Sequence, residues 1–147
     1  MNPRDFLDQA GEWVSGVNEA DWRSSVSRAY YAAFHVGRGL FADTGFTVPN
    51  GPNSHGYVWL RLANAGRAEI VQIGNALNSL RGLRNRADYD LRQVFHETQG
   101  VAGVGMAEDI IRILDELTAT PEILLQVVEA IRAYERDVLC EVTWHSR

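Results

Sequence analysis

The thirteen residues Ser79–Leu91 (SLRGLRNRADYDL) hold more groups able to bind a phosphate or move a proton than any other stretch of the chain. These groups are Arg81, Arg84, Asn85, Arg86, Asp88 and Tyr89. On a helix, residues three or four positions apart share a face, so several of these side chains should cluster. Guanidinium groups beside an amide and a phenol could grip a phosphodiester and stabilise a pentacovalent transition state. The alternative is a solvated helix end with Arg84–Asp88 and Arg81–Asn85 pairs, each worth about 0.3 kcal/mol, and from spacing alone this is the commoner arrangement.

A second polar row follows an earlier helical segment at steps of three and four residues: Ser24, Arg28, Tyr31, His35 and Arg38. We take Arg28, Tyr31 and His35 as candidate substrate-binding residues, although a single His on an aromatic-rich helix is more often a partly buried residue with one hydrogen bond. His55, which follows a loop, is a further candidate for substrate binding; it is either a cap-region residue or an acid or base. His96 follows the Arg-rich stretch. No two histidines have the spacing of a metal site, and no phosphate-binding glycine loop is present, so we expect no metal and no cofactor.

The composition excludes some classes of function. The chain has 147 residues and a formal charge of −5, which argues against a protein that coats nucleic acid through bulk positive charge but allows a local basic cleft. All 14 basic residues are arginines, whose planar fork suits phosphate and carboxylate groups. The one cysteine, Cys140, cannot form an internal disulfide. No apolar run approaches the roughly 20 residues of a membrane span, and the N-terminus lacks a signal-peptide core. We therefore expect a cytoplasmic protein with no membrane partner.

Apolar residues recur at helical spacing through most of the chain, and no period-two strand pattern exceeds a few residues. The pattern predicts an all-α fold, an up-and-down antiparallel bundle of five or six helices. It also predicts one domain over residues 1–140 and a C-terminal tail at 141–147. The predicted helices are Pro3–Val17, Glu19–Phe41, Ser54–Ala65, Ala68–Leu91, Ala107–Leu117 and Pro121–Leu139, with a loop at Asp43–Asn53 and a break at Thr98–Gly105.

Three segments in this order are more specific than any one of them: SRAYYAAFH, then SHGYVW after a loop, then LRGLRNRADYDL. Together they resemble the HEPN family, in particular its small stand-alone prokaryotic members. The resemblance implies a helical bundle that dimerises and, in many members, a metal-independent endoribonuclease whose paired motifs meet in a cleft at the homodimer interface. The family motif is an Arg, a polar residue and, a few positions later, a His. Arg84 matches the motif Arg and Asn85 the polar residue, but Tyr89 stands where the His is expected.

The resemblance therefore implies two alternatives for function. In the first, the chain is an endoribonuclease toxin neutralised by a nucleotidyltransferase-type antitoxin or another operon partner. Arg84, Asn85 and Tyr89 would then be catalytic, with Arg81 and Arg86 as supporting charge. A base would take the proton of an RNA 2′-hydroxyl, whose oxygen attacks the adjacent phosphate and breaks its bond to the 5′-oxygen, and an acid would protonate that leaving oxygen. In the second, the chain is a non-catalytic module that binds nucleotide, RNA or a partner protein, because a phenol is a poor general base at pH 7. The family also implies Tyr89 as a possible acceptor of AMP.

Overall fold

The computed structural model describes residues 1–146 and is 75% helical. Over these residues it contains no β-strand, and its one isolated antiparallel bridge joins Phe46 to Trp144. The all-α prediction is confirmed. The helices are α1 (Arg4–Val14), α2 (Glu19–Asp43), α3 (Asn53–Leu62), α4 (Ala68–Tyr89), α5 (Glu97–Thr118) and α6 (Pro121–Tyr134), followed by a π-helical turn at Glu135–Leu139.

The predicted break at Thr98–Gly105 is wrong, because α5 runs unbroken through it. The glycines that suggested a break are sites of close helix contact. A Cβ added at Gly103 would lie 2.8 Å from a methyl carbon of Val26, and one at Gly100 would lie 3.2 Å from the Ser25 hydroxyl oxygen. At Gly103 a side chain would force Val26 of α2 to shift, and at Gly100 its neighbours would have to give by a few tenths of an ångström. Tertiary contact outweighs the roughly 1 kcal/mol that each glycine costs a helix relative to alanine.

The other boundaries differ from the prediction by less. Helix α1 ends at Val14 rather than near Val17. The last predicted helix ends its α-helical part at Tyr134 and continues as the π-helical turn, which stops at Cys140 in the left-handed conformation (φ 53°).

The backbone clusters into two compact units. The first unit comprises residues 1–36 and 76–111, and its core is built from small and aromatic side chains of α2 together with leucines of α4. The most deeply buried of these are Val26, Ala29, Tyr30, Ala33, Leu77 and Leu80. The alanines allow the neighbouring helices to approach closely. The predicted division at residue 140 stays a prediction.

The second unit comprises residues 37–75 and those from 112 on. Its interior holds an ion pair between Arg61 and Glu135 (Nε to Oε2, 2.8 Å), with both side chains at most 4% exposed. The Thr143 backbone N–H donates to Glu135 Oε1 at 3.0 Å, and the Thr143 hydroxyl is hydrogen-bonded to the Tyr57 hydroxyl. Trp144 Nε1 donates to the carbonyl of Thr44 at 2.9 Å. Residues Thr143 to His145 are thus hydrogen-bonded within this unit.

In the second unit, glycine at position 74 allows α4 to lie close to the end of α3. A Cβ at this position would lie 2.3 Å from the backbone nitrogen of Ala63, so only glycine fits. Gly82, on the same helix, has no atom within 4 Å of an added Cβ. No helix among the described residues is long and apolar enough to cross a membrane.

Candidate functional site

The end of α4 is held by a buried arginine of α2. Arg23 is 9% exposed, and its Nη1 donates to the carbonyls of Arg86 (3.1 Å), Ala87 (2.8 Å) and Asp90 (3.2 Å). Its Nη2 donates to the carbonyls of Asp90 (3.2 Å) and Gln93 (2.5 Å). The last carbonyls of a helix have no partner within the helix, so one guanidinium caps the C-terminus of α4 and fixes the following turn.

Glu19 anchors this arginine from the first turn of α2. Its Oε1 accepts from Arg23 Nε (2.9 Å), from Arg23 Nη2 (2.8 Å) and from the backbone N–H of Phe95 (3.0 Å). The hydrogen bond from Arg23, followed by that from Phe95, lowers the pKa of the Glu19 carboxyl. The Arg23 guanidinium carbon lies 5.3 Å from the centroid of the Phe95 ring. We name this group, Glu19, Arg23 and Phe95, the α4 clasp.

Sequence reasoning missed the α4 clasp. Glu19 and Arg23 are four residues apart, which is the spacing of an ordinary surface ion pair, and nothing in that spacing reveals that the arginine points at carbonyls about 65 residues later in the chain. A weak signal was available. Arg23 lies one position after Trp22 and three before Val26, on the side of α2 that carries apolar residues.

Arg84 lies at the centre of the site and is buried, with 6% of its surface exposed. Three tyrosine rings surround its guanidinium carbon, at centroid distances of 5.1 Å for Tyr30, 5.4 Å for Tyr31 and 5.9 Å for Tyr89. We name these four residues the tyrosine–arginine cluster. Cation–π attraction is strongest where both groups are removed from water, so the rings stabilise the buried charge.

The hydrogen-bonding capacity of Arg84 is not fully used. Its Nη1 lies 3.8 Å from Asp88 Oδ2, which is an ion pair too long for a hydrogen bond. The Nε of Arg84 has no hydrogen-bond partner among residues 1–146. Burial raises the pKa of Tyr30 to about 12, with Arg81 and Arg84 opposing that rise. A buried guanidinium with an unpaired N–H is costly unless a further acceptor binds it.

The other candidates of the Arg-rich stretch point outward. Asn85 and Arg86 are exposed, and Tyr89 exposes 75% of its surface although its ring contacts the Arg84 guanidinium. Arg81 is half-buried, and its Nε has no hydrogen-bond partner in the described part of the chain. The Arg84–Asp88 pair of the solvated-helix alternative is present, but that alternative is wrong in placing Arg84 in water, because the helix turns this residue inward.

The polar row on α2 adjoins the cluster through aromatic contacts with α1. The Arg28 guanidinium carbon lies 5.5 Å from the Phe6 ring centroid and 5.8 Å from that of Trp13. The ring centroids of Tyr31 and Phe6 are 6.5 Å apart, and the His35 ring stacks on both of these rings with centroid distances of 6.2 Å. All five side chains are half-buried. We name them, Phe6, Trp13, Arg28, Tyr31 and His35, the α1–α2 aromatic row.

The first unit thus brings together eight of the nine predicted site residues: Arg28, Tyr31, His35, Arg81, Arg84, Asn85, Arg86 and Tyr89. His55 belongs to the second unit, where it lies half-buried in the first turn of α3. His96 is exposed in the turn before α5. Among residues 1–146 no three His, Cys, Asp or Glu side chains are arranged to hold a metal ion.

The motif order, the helical fold and the position of Arg84 on α4 agree with one family. A model of the HEPN domain matches residues 5–120, which is most of the chain and includes α1 to α5. The protein therefore belongs to the HEPN domain family. Comparisons with curated proteins and with solved structures found no match.

Proposed function

We propose that this HEPN protein binds single-stranded RNA across the tyrosine–arginine cluster and the adjoining α1–α2 aromatic row, and that it does so without cleaving the RNA. The observation that carries this function is the contrast between two contacting residues of the cluster. Arg84 is 6% exposed, whereas Tyr89 is 75% exposed. The motif arginine is buried, while the ring that can stack on a base is open to solvent.

The exposed groups of this surface have the chemistry of a single-strand binder. Aromatic rings offer stacking to any base, and arginines beside them pair with the phosphates. Here Tyr89 supplies the exposed ring, and Arg86 the exposed guanidinium on the same turn of α4. Half-buried Arg28 and Tyr31 extend the surface onto α2. A net charge of −5 does not exclude this, because Arg81, Arg84, Arg86 and Arg92 place four positive charges in one short stretch.

The absence of cleavage follows from the residue types at the motif. Metal-independent cleavage of RNA needs a group that accepts a proton near neutral pH. The motif position holds the phenol of Tyr89, and phenols are ordinarily poor bases at pH 7.

Binding is tested by the fluorescence anisotropy of a labelled single-stranded RNA titrated with protein at several salt concentrations. Tyr89→Leu should weaken binding about tenfold or more, because stacking on one aromatic ring is worth about 1–3 kcal/mol per base. Arg86→Ala should reduce the slope of log K against log salt by about 1. Arg112→Ala, which removes an exposed arginine of the second unit, is the matched control and should change neither quantity. Equal affinities for all four proteins would reject the proposed surface.

One observation favours a second candidate, the metal-independent endoribonuclease toxin acting in a cleft between two copies of the chain. Arg84 Nε has no hydrogen-bond partner among the described residues, as expected of a group that still has a substrate to bind. His35 stacks on Tyr31, which contacts Arg84, so an imidazole lies one ring away from the guanidinium. In this candidate a nucleotidyltransferase-type antitoxin is the partner, and Tyr89, which is exposed, is the acceptor of AMP.

Incubating RNA with the protein in EDTA separates the two candidates. Cleavage by the parent that Arg84→Ala abolishes would support the toxin, since removing a charge-stabilising donor typically costs about 10²–10³ in rate. Intact RNA in both samples supports binding alone. Sedimentation of the purified chain reports whether the dimer forms.

A further inference from the structure

We infer, building on the RNA-binding function proposed above, that Asp88 is an internal counter-ion of Arg84 which a phosphate of the bound RNA displaces. Asp88 would then limit the affinity of the site for anions.

The ion pair between Asp88 and Arg84 has the geometry of a replaceable contact. The two groups approach only to 3.8 Å, beyond hydrogen-bond distance, so Asp88 accepts no hydrogen bond from the guanidinium. Its Nε is buried without a partner among residues 1–146. A phosphodiester offers two non-bridging oxygens that pair with the planar fork of arginine in a bidentate manner, which this carboxylate does not. The guanidinium would therefore make stronger contacts to a phosphate than to Asp88.

The two partners differ in their access to solvent. The Arg84 side chain is 7% exposed, whereas the Asp88 side chain is 29% exposed. An anion approaching Arg84 from water on this side meets the carboxylate first. Moving Asp88 outward also costs little, because a partly exposed carboxylate returns to water rather than to a buried position.

Ser27 holds the carboxylate in this place. Its hydroxyl donates to Asp88 Oδ2 at 3.2 Å, and this is the same oxygen that faces Arg84 Nη1. Among residues 1–146, this neutral hydrogen bond from α2 and the 3.8 Å ion pair with Arg84 are the contacts that Asp88 loses when it moves. Meanwhile Arg81 adds a second positive charge near the Tyr30 hydroxyl, so the position vacated by Asp88 stays favourable for an anion.

The sign of the Asp88→Asn effect tests the inference, with inorganic phosphate as the probe. Melting temperatures are measured with and without phosphate, using chloride to match the ionic strength. If Asp88 competes with phosphate, Asp88→Asn should bind phosphate about tenfold more tightly than Asp90→Asn and should show a correspondingly larger phosphate-dependent rise in melting temperature. Asp90→Asn is the matched control, because it removes an equal charge two residues further along the chain. Asp88→Ser serves as a second variant if Asp88→Asn does not fold.

A phosphate response of Asp88→Asn no larger than that of Asp90→Asn would overturn the inference. The same variants are then titrated with labelled single-stranded RNA, where Asp88→Asn should again bind about tenfold more tightly than its control. If phosphate raises the melting temperature of Asp88→Asn more than that of Asp90→Asn, and no variant binds RNA, the counter-ion role of Asp88 is supported and the RNA-binding function is rejected. If both variants bind RNA with equal affinity, the counter-ion role of Asp88 is rejected and the RNA-binding function is supported.

Discussion

Replacing Arg23 with alanine should destabilise the protein strongly and loosen the end of α4. Arg23 belongs to the α4 clasp, where its side chain is 10% exposed and donates to four backbone carbonyls and to Glu19. The residue that carries the exposed ring of the site, Tyr89, is the last residue of that helix. The clasp therefore links the stability of the helix end to the position of the ring.

The loss of stability expected for Arg23→Ala depends on which contacts of Arg23 are buried. Its ion pair contributes little, because the Glu19 side chain is 42% exposed and is screened by solvent. The carbonyl contacts contribute more, since a hydrogen bond from a charged donor is worth about 1.5–3 kcal/mol and its loss leaves carbonyls at a helix end without a partner. Water can hydrate some of them in the variant. We therefore expect Arg23→Ala to lower the free energy of unfolding by about 3 kcal/mol.

Urea unfolding followed by circular dichroism measures this loss, and hydrogen exchange locates it. Arg23→Ala should speed exchange in residues 84–96. Arg23→Lys should recover less than half of the stability, because an ammonium group lacks the planar fork. The matched control is Arg112→Ala, which breaks a pair with Glu116 of the same four-residue spacing in which both side chains are more than half exposed. It should cost about 0.3 kcal/mol. If Arg23→Ala costs no more than Arg112→Ala, the clasp has no structural role.

Two further predictions concern glycine and tyrosine. Gly82→Ala should stabilise the protein by up to about 1 kcal/mol, because the new methyl group has no close neighbour outside its own turn of helix. Gly74→Ala should destabilise the protein, because its methyl group would be forced against the Ala63 backbone. Thermal unfolding measures both effects, and melting temperatures that change in the same direction would contradict this prediction. Because the buried Tyr30 phenol keeps its proton up to about pH 12 while an ordinary phenol loses it near 10, stability should fall as pH rises between these values. Tyr30→Phe should make this loss shallower in alkaline urea titrations, with the buried Tyr57 supplying the remaining slope.

The sequence predicted the helices well where an apolar stripe was long. On α4 the residues that helical spacing places on one face, Ile70, Ile73, Leu77, Leu80 and Leu83 or Arg84, are all buried. The sequence-based prediction of helices was wrong at residues 98–105, where the glycine-rich composition predicted a break. Helix propensity taken from one sequence cannot show that residues of α2 lie close to Gly100 and Gly103 and leave little room for side chains at these positions.

The candidate site was predictable in its members but not in their orientation. Spacing placed Arg84, Asn85 and Tyr89 on one helix end, and they are there. It could not show that Arg84 turns inward among three rings while Tyr89 remains exposed, because this depends on how α2 packs against α4. The α4 clasp was missed for the same reason, since its partners are distant in sequence.

A single gel-shift experiment tests the proposed function most directly. A labelled single-stranded RNA is incubated with the protein in EDTA, resolved on a native gel, and recovered from the shifted band so that its length can be checked. We predict a shifted band that contains full-length RNA and that weakens in Tyr89→Leu. Shortened RNA in the parent but not in Arg84→Ala, or the absence of any shift, would contradict RNA binding without cleavage at the tyrosine–arginine cluster.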